Sequence, residues 1–172
     1  MKNRTLSLAS FSLSLLLPAV LSAQVGGTAS VRLRSFDEVP AINSGGGGEF
    51  TATISDDGSE MTYTLTYKSI DPIQAHIHFA QKGVNGGIAI FLCTDLGNGP
   101  QGTQACPPGP ATLHGTIQSA DVIGGAANQG IAVGNLSGVL RALRAGIAYV
   151  NVHSAKYPGG EIRGQLVFTP AE

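Results

Sequence analysis

A strict alternation of apolar and polar residues is the feature that most limits how this chain can fold. In residues 49–55 apolar side chains alternate with Thr and Ser, and the same period continues through 61–68 after the Asp-Asp-Gly turn signal at 56–58. Side chains two residues apart lie on the same face of a β-strand, whereas a helical face repeats every 3.6 residues. The pattern therefore predicts a β-hairpin with one apolar face and one threonine-rich face.

The rest of the chain has the composition of short strands joined by turns. The sequence contains 24 glycines and 9 prolines, and a charged fraction of 12% leaves little material for long surface helices. About seven or eight short strands at this spacing predict an all-β fold, an antiparallel β-sandwich of the immunoglobulin-like or superoxide-dismutase-like kind. The strands predicted outside the hairpin are residues 75–79, 87–93, 112–118, 147–153 and 161–169, and a helical turn is expected at residues 139–144 with Gly146 as its stop.

The first residues have the features of an export signal. Lys2 and Arg4 precede an apolar stretch over residues 6–20, and the small residues of Leu21-Ser22-Ala23 follow it. This predicts a signal peptide over residues 1–23 that is cleaved after Ala23, followed by a single domain over residues 24–172. A membrane anchor fits less well because the apolar run is short for a bilayer span. We therefore expect a secreted or periplasmic protein with no stable membrane insertion after cleavage.

The two cysteines suit an oxidising compartment. Cys93 and Cys106 enclose twelve residues rich in Gly, Pro and Gln, and a disulfide between them is the natural interpretation. Closure of such a loop stabilises the fold by about 3 kcal/mol in the chain-entropy model. A metal site made only of cysteines needs more thiolates, and catalytic redox cysteines are usually closer in sequence.

Three of the four histidines have a spacing that favours metal binding. His76 and His78 are two residues apart on a predicted strand, so their side chains share one face. His153, at the end of another predicted strand, is the best candidate for a third ligand, and copper or zinc suits such imidazole donors. The alternative is a set of surface or structural histidines that bind no ligand. His114 is the remaining histidine.

A polar face is predicted on the last hairpin. If its strands are symmetric about residues 154–160, His153 is opposite Glu161, and the next two pairs join Asn151 to Arg163 and Tyr149 to Gln165. Directly opposed side chains on neighbouring strands interact, so these residues can instead form a hydrogen-bonded network with a structural role. The residues of this possible network are Tyr149, Asn151, Glu161, Arg163 and Gln165.

Four stretches of the sequence resemble one known family. They are Glu-Val-Pro at 38–40, Ala-His-Ile-His at 75–78 with Gly-Val-Asn-Gly at 83–86, residues 145–153, and Pro-Gly-Gly-Glu-Ile-Arg-Gly-Gln at 158–165. In this order they resemble the motifs of the CHRD (chordin-type) domain, in the standalone form of bacterial secreted proteins, over about residues 29–168. The resemblance implies a compact extracellular β domain. In chordin-like animal proteins such domains accompany cysteine-rich modules that bind growth factors, and this sequence has no such modules, so growth-factor antagonism is not implied.

Three classes of function remain after these observations. A formal net charge of −1 and the absence of a Lys/Arg cluster argue against nucleic-acid binding, and neither G-x-S-x-G nor H-E-x-x-H occurs. We expect a secreted non-enzymatic module that acts by binding or assembly with a protein or glycan partner and has no certain cofactor. The first alternative is a copper- or zinc-binding protein that uses the three histidines. A superoxide-dismutase-like metalloenzyme is the weaker alternative, because four histidines are too few for two metals and no acidic zinc ligand is evident.

Overall fold

The computed structural model describes residues 26–172, so the predicted signal peptide and its cleavage site after Ala23 lie outside the described residues. Within this range the chain forms nine strands, one α-helix and three short 3₁₀ helices. The strands are β1 (Gly27–Arg34), β2 (Gly47–Ile54), β3 (Glu60–Lys68), β4 (Pro72–Phe79), β5 (Gly87–Thr94), β6 (Ala111–Gln118), β7 (Ala148–Ser154), β8 (Ile162–Gln165) and β9 (Val167–Pro170). The helix is α1 (Leu136–Arg144), and the 3₁₀ helices are Ser35–Asp37, Ser119–Asp121 and Gly124–Gln129.

All nine strands belong to one antiparallel sheet. Its hydrogen-bonded order is β5-β4-β7-β8-β1-β2-β3-β6, and β9 also pairs with β1. The sheet curls until it is nearly a closed barrel, and the Tyr63 hydroxyl of β3 donates a hydrogen bond to the Leu92 carbonyl of β5 near the other end of the path. The predicted all-β antiparallel fold is confirmed. A division into two facing sheets of the immunoglobulin or superoxide-dismutase kind is not confirmed, because the pairing is continuous.

The predicted hairpin forms as β2 and β3. Phe50 pairs with Leu65, and both side chains are fully buried. The threonines between these apolar positions face outward, so one side of the hairpin lines the core and the other faces solvent. Burial of the apolar positions fixes this register, because a slip of one residue would exchange the two faces.

The helix and the last strand differ from the sequence-based expectation in their limits. The expected turn at residues 139–144 is part of a nine-residue helix that begins after Asn135, whose side chain accepts a hydrogen bond from the Gly138 N–H. The helix ends before Gly146, which has φ +69°. The strand expected over residues 161–169 is divided at Leu166, which is buried and donates its N–H to the Ala148 carbonyl.

The predicted disulfide is present and fixes the long connection between β5 and β6. Cys93 and Cys106 are bonded and both are buried. The Asp95 carboxylate accepts a hydrogen bond from the Cys106 N–H, which holds the loop close to the end of β5. In residues 26–172 no helix combines the length and the apolar composition needed to cross a bilayer.

Candidate metal centre

The sheet places the histidine pair beside the third histidine. β4 and β7 are antiparallel neighbours, in which Gln74 is opposite His153 and His76 is opposite Asn151. His153 therefore lies diagonally across from His76 on the same face of the sheet. On its other side β4 shows register shifts against β5 just before His76 and His78. Irregularities of this kind re-aim side chains and are common beside functional sites.

This polar face is buried rather than solvated. The exposed fractions of His76, His78 and His153 are 0%, 7% and 6%. Every residue of β7 is buried, because Ala148, Val150 and Val152 face the core and the alternate residues are covered from the other side. Contacts on this side come from two segments, residues 35–46 through Glu38 and residues 80–86 through Ala80 and residues 84–86. These two segments are joined to each other by a hydrogen bond from the Asn85 side chain to the Val39 carbonyl.

Backbone carbonyls fix the orientation of two of the rings. His78 Nδ1 lies 3.0 Å from the Gly86 carbonyl oxygen, and His153 Nδ1 lies 3.0 Å from that of Pro158. A carbonyl can only accept, so both Nδ1 atoms carry the proton and both Nε2 atoms carry a lone pair. His76 Nδ1 lies 3.1 Å from His153 Nε2 and donates to it. Histidines that bind metals typically donate their second ring N–H to a carbonyl in the way that His78 and His153 do.

Two of the inward-facing nitrogens lack any hydrogen-bond partner. His76 Nε2 and His78 Nε2 are buried and unpartnered within the described part of the chain. Leaving a buried polar atom unsatisfied costs about 1–3 kcal/mol. A metal ion placed between the three rings would remove that cost, because each lone pair would gain a ligand bond.

The distances in this cluster suit one ion. His76, His78 and His153 each offer a nitrogen, and these three atoms lie within 4.8 Å of one another. For three atoms no more than 4.8 Å apart, there is always a point within about 2.8 Å of all of them. Sub-ångström adjustments of the rings therefore reach the ~2.0–2.1 Å of a zinc–imidazole bond.

All three histidines are neutral at neutral pH. Burial lowers the pKa of His76 to about 2, and the neighbouring His153 and His78 lower it further. Burial also lowers the pKa of His78 to about 4 and that of His153, in both cases against a backbone hydrogen bond that raises it. Neutral imidazole is the form that binds metals, so protons compete weakly for these nitrogens.

An aromatic and cationic stack borders the cluster. The ring of Tyr149 stacks on His78 with centroids 4.7 Å apart, and the Arg163 guanidinium lies 3.5 Å from the Tyr149 centroid. Arg163 is only 2% exposed and donates to the Asn85 side chain at 2.8 Å and the Val84 carbonyl at 2.6 Å. The residues of the 83–86 motif thus hold this arginine in place.

A buried carboxyl group that sequence reasoning did not single out lies in the same region. Glu38 is 5% exposed, and its Oε2 accepts a hydrogen bond from the Asn151 side chain at 3.5 Å. Burial raises the pKa of Glu38 to about 7, although the Arg163 charge opposes this. Glu38 Oε1 and Asn151 Oδ1 have no partner among residues 26–172. The sequence signal was the Glu-Val-Pro motif at 38–40, which indicated a family and not a role.

Among the five residues of the predicted polar network, Arg163 stacks on Tyr149, and the others have separate partners. Asn151 is opposite Arg163 and Tyr149 is opposite Gln165, as the hairpin symmetry predicted. The ladder ends one residue before the pair of His153 and Glu161. Glu161 accepts a hydrogen bond from the Ser154 hydroxyl and forms no ion pair with Arg163. The Gln165 side chain donates to three backbone carbonyls, those of Ala80, Gly146 and Ala148.

His114 does not belong to this cluster. It is exposed on β6, and its Nδ1 lies 3.1 Å from the hydroxyl of Thr64 on β3. It therefore serves as a natural control for the three buried histidines.

Comparison with known proteins identifies the family of this chain. Residues 29–166 match the family model described as the CHRD domain. No curated protein matches the chain. The matched region extends from β1 to Leu166 and includes the three histidines, Glu38 and Arg163.

Proposed function

Because the chain belongs to the CHRD domain family, whose members are extracellular-type modules, we propose that it is a secreted, non-enzymatic binding module with a copper or zinc ion as its ligand. His76, His78 and His153 hold the ion. The observation that carries this proposal is the convergence of three buried neutral imidazoles, two of which have an unpartnered nitrogen. Such an arrangement is costly without a ligand and favourable with one.

The proposed location is outside the cytoplasm. A buried disulfide between Cys93 and Cys106 supports it, because disulfides persist in oxidising compartments. Export would depend on the proposed signal peptide at residues 1–23. The mature protein would then act in the periplasm or in the extracellular medium.

The module is proposed to bind rather than to catalyse. Catalytic metal sites keep an open position for water or substrate, whereas these three donors are buried. This favours storage or delivery of the ion over superoxide-dismutase-like chemistry. Exposed Phe36 and Val84 lie on the two covering segments and favour a protein over a glycan as the partner in assembly.

Metal analysis of the purified mature protein tests this function. The samples are the wild type, the double variant His76→Ala/His78→Ala, and the control His114→Ala, each checked for folding by circular dichroism. We expect about one copper or zinc ion per chain in the wild type and the control, and none in the double variant. Absence of bound metal in folded wild-type protein, even after incubation with excess copper and zinc, would refute the proposal.

A further inference from the structure

The donors of the proposed site bring no negative charge to the ion. Histidine binds an ion as a neutral imidazole, and within residues 26–172 no carboxylate or thiolate joins the cluster of His76, His78 and His153. Glu161, the nearest acidic residue in the sequence of the hairpin, accepts the hydroxyl of Ser154 instead. The bound ion would therefore keep its full charge in a buried environment. The Born cost of burying a charge rises with its square, so a divalent ion costs about four times as much as a monovalent ion of similar size.

The surroundings increase this penalty. Arg163 is buried and linked to the cluster through the Tyr149 ring that stacks on His78. Glu38 compensates this cation only in part, because burial raises the pKa of its carboxyl group to about 7 and leaves it partly protonated at neutral pH. The net charge of the residues around the site is therefore zero or positive. Since Coulomb repulsion scales with the charge of the ion, Arg163 opposes a divalent ion twice as strongly as a monovalent one.

The number of donors leads in the same direction. Structural zinc sites are four-coordinate, and Cu(II) prefers a tetragonal set of four nitrogen and oxygen ligands. The described cluster supplies three nitrogens, and Phe91 packs edge-on against His76 with ring centroids 4.4 Å apart. An aromatic wall offers no fourth donor. Cu(I) accepts three nitrogen ligands in a plane and needs no water to complete its coordination.

We propose that this site selects Cu(I) over Zn(II) and Cu(II), and that Arg163 is a residue that determines this selectivity. The inference rests on the proposed metal-binding function of the same three histidines. It assigns the module to the holding of copper in its reduced state. A closed site of three neutral donors beside a buried cation is suited to a monovalent ion and disfavours a divalent one.

Competition titrations of the full mature protein under anaerobic conditions test the inference. Cu(I) is supplied as its acetonitrile complex, so that no thiol reductant meets the Cys93–Cys106 disulfide. Affinities are measured against chromophoric chelators specific for Cu(I) and for Zn(II). We expect the wild type to bind Cu(I) at least 100-fold more tightly than Zn(II), with three nitrogen ligands by X-ray absorption.

Two charge variants with opposite expected effects separate selectivity from simple damage. Arg163→Gln should lower the ratio of Cu(I) to Zn(II) affinity at least tenfold, because the divalent ion gains more from loss of the cation. Glu38→Gln should raise the ratio, because it removes the partial negative charge. Arg141→Gln, at an exposed arginine of α1, is the matched control and should leave the ratio unchanged. If Arg163→Gln fails to fold, the ratio of Cu(I) to Zn(II) affinity in the wild type and in Glu38→Gln still tests the proposed selectivity.

The outcomes distinguish this inference from the function on which it rests. Zn(II) or Cu(II) binding as tight as Cu(I), or a fourth ligand in the copper spectrum, would overturn the selectivity while metal binding stands. Failure of folded wild-type protein to bind any of the three ions would overturn both. An unchanged ratio in folded Arg163→Gln would remove Arg163 from the explanation.

Discussion

Acidification should destabilise the metal-free protein through the histidines of the site. His76 and His78 have pKa values of about 2 and about 4 in the folded chain, against 6.5 as the ordinary value. Below pH 6.5 the unfolded chain binds protons that the folded chain excludes, so stability is present above this pH and is lost as the pH falls. A pH of 5.0 lies about 1.5 units below the unfolded pKa, so each of these two histidines lowers the free energy of unfolding by about 2 kcal/mol at that pH. The lowered pKa of His153 adds a loss of the same sign.

Glu38 opposes this effect in the same pH range. Its pKa rises from 4.5 to about 7 on folding, so between these values the folded chain binds the extra proton. Its contribution to stability is therefore present at low pH and is lost as the pH rises through about 7. The offset at pH 5.0 is about 2 kcal/mol, because this pH lies about 2 units below the folded pKa while most of the unfolded carboxyl groups are ionised. The net loss between pH 7.5 and pH 5.0 is then about 2–4 kcal/mol.

Urea unfolding followed by circular dichroism, in the presence of a metal chelator, measures this balance. With an m-value of about 1–3 kcal/mol/M, the midpoint of the wild type should fall by about 1–2 M between pH 7.5 and pH 5.0. Glu38→Gln should fall further, His76→Gln should fall less, and the control His114→Ala should follow the wild type. A wild-type midpoint that is equal or higher at pH 5.0 would show that the histidines are not held neutral by burial, and the reasoning would fail.

Three further predictions concern backbone and covalent features. Gly160 has φ +130°, and an added Cβ would lie within 2.7 Å of two buried side chains. Gly160→Ala should therefore lower the free energy of unfolding by about 2–4 kcal/mol, whereas the control Gly159→Ala should change it by less than about 0.5 kcal/mol. Equal urea midpoints for the two variants would contradict this prediction. Replacement of Cys93 and Cys106 by serine should cost about 3 kcal/mol in the same assay, and a loss below about 1 kcal/mol would show that the loop is ordered without the bond. Asn135→Ala should cost about 1 kcal/mol by loss of the helix cap, with Asn135→Ser as the variant expected to retain most of the stability.

The sequence predicted the strands whose position and orientation follow from the pattern of neighbouring residues. The alternation over 49–55 and 61–68 is a property of neighbouring residues, and it gave β2 and β3 with the right faces. The break at Leu166 depends on a hydrogen bond to Ala148, which is distant in sequence, and no neighbouring residue signals it. β1 was not among the predicted strands, although Ala29, Val31 and Leu33 alternate there with polar residues and give the same local signal.

The candidate site divides in the same way. That His76 and His78 share a face follows from the two-residue period of a strand. The position of His153 depends on β7 being the neighbour of β4, and this adjacency is a matter of topology. Burial of the histidines depends on the covering segments at 35–46 and 80–86, whose contacts through Asn85 are also long-range. For that reason the sequence predicted a polar strand face, but it did not predict that this face is buried or that Glu38 lies beside it.

The adjacency of β4 and β7 also decides when the metal ligands first meet. His76 and His153 are 77 residues apart, and β7 joins the sheet next to β8, close to the end of the chain. Loop closure over such distances is slow compared with local hairpin formation, so we expect the three-histidine cluster to form late in folding. A nascent chain that threads through a membrane unfolded has no such cluster to offer until its last strands have emerged. If the protein is exported in that state, the ion it acquires comes from the compartment in which folding finishes, and the supply of metals in the cytosol has no opportunity to fill the site.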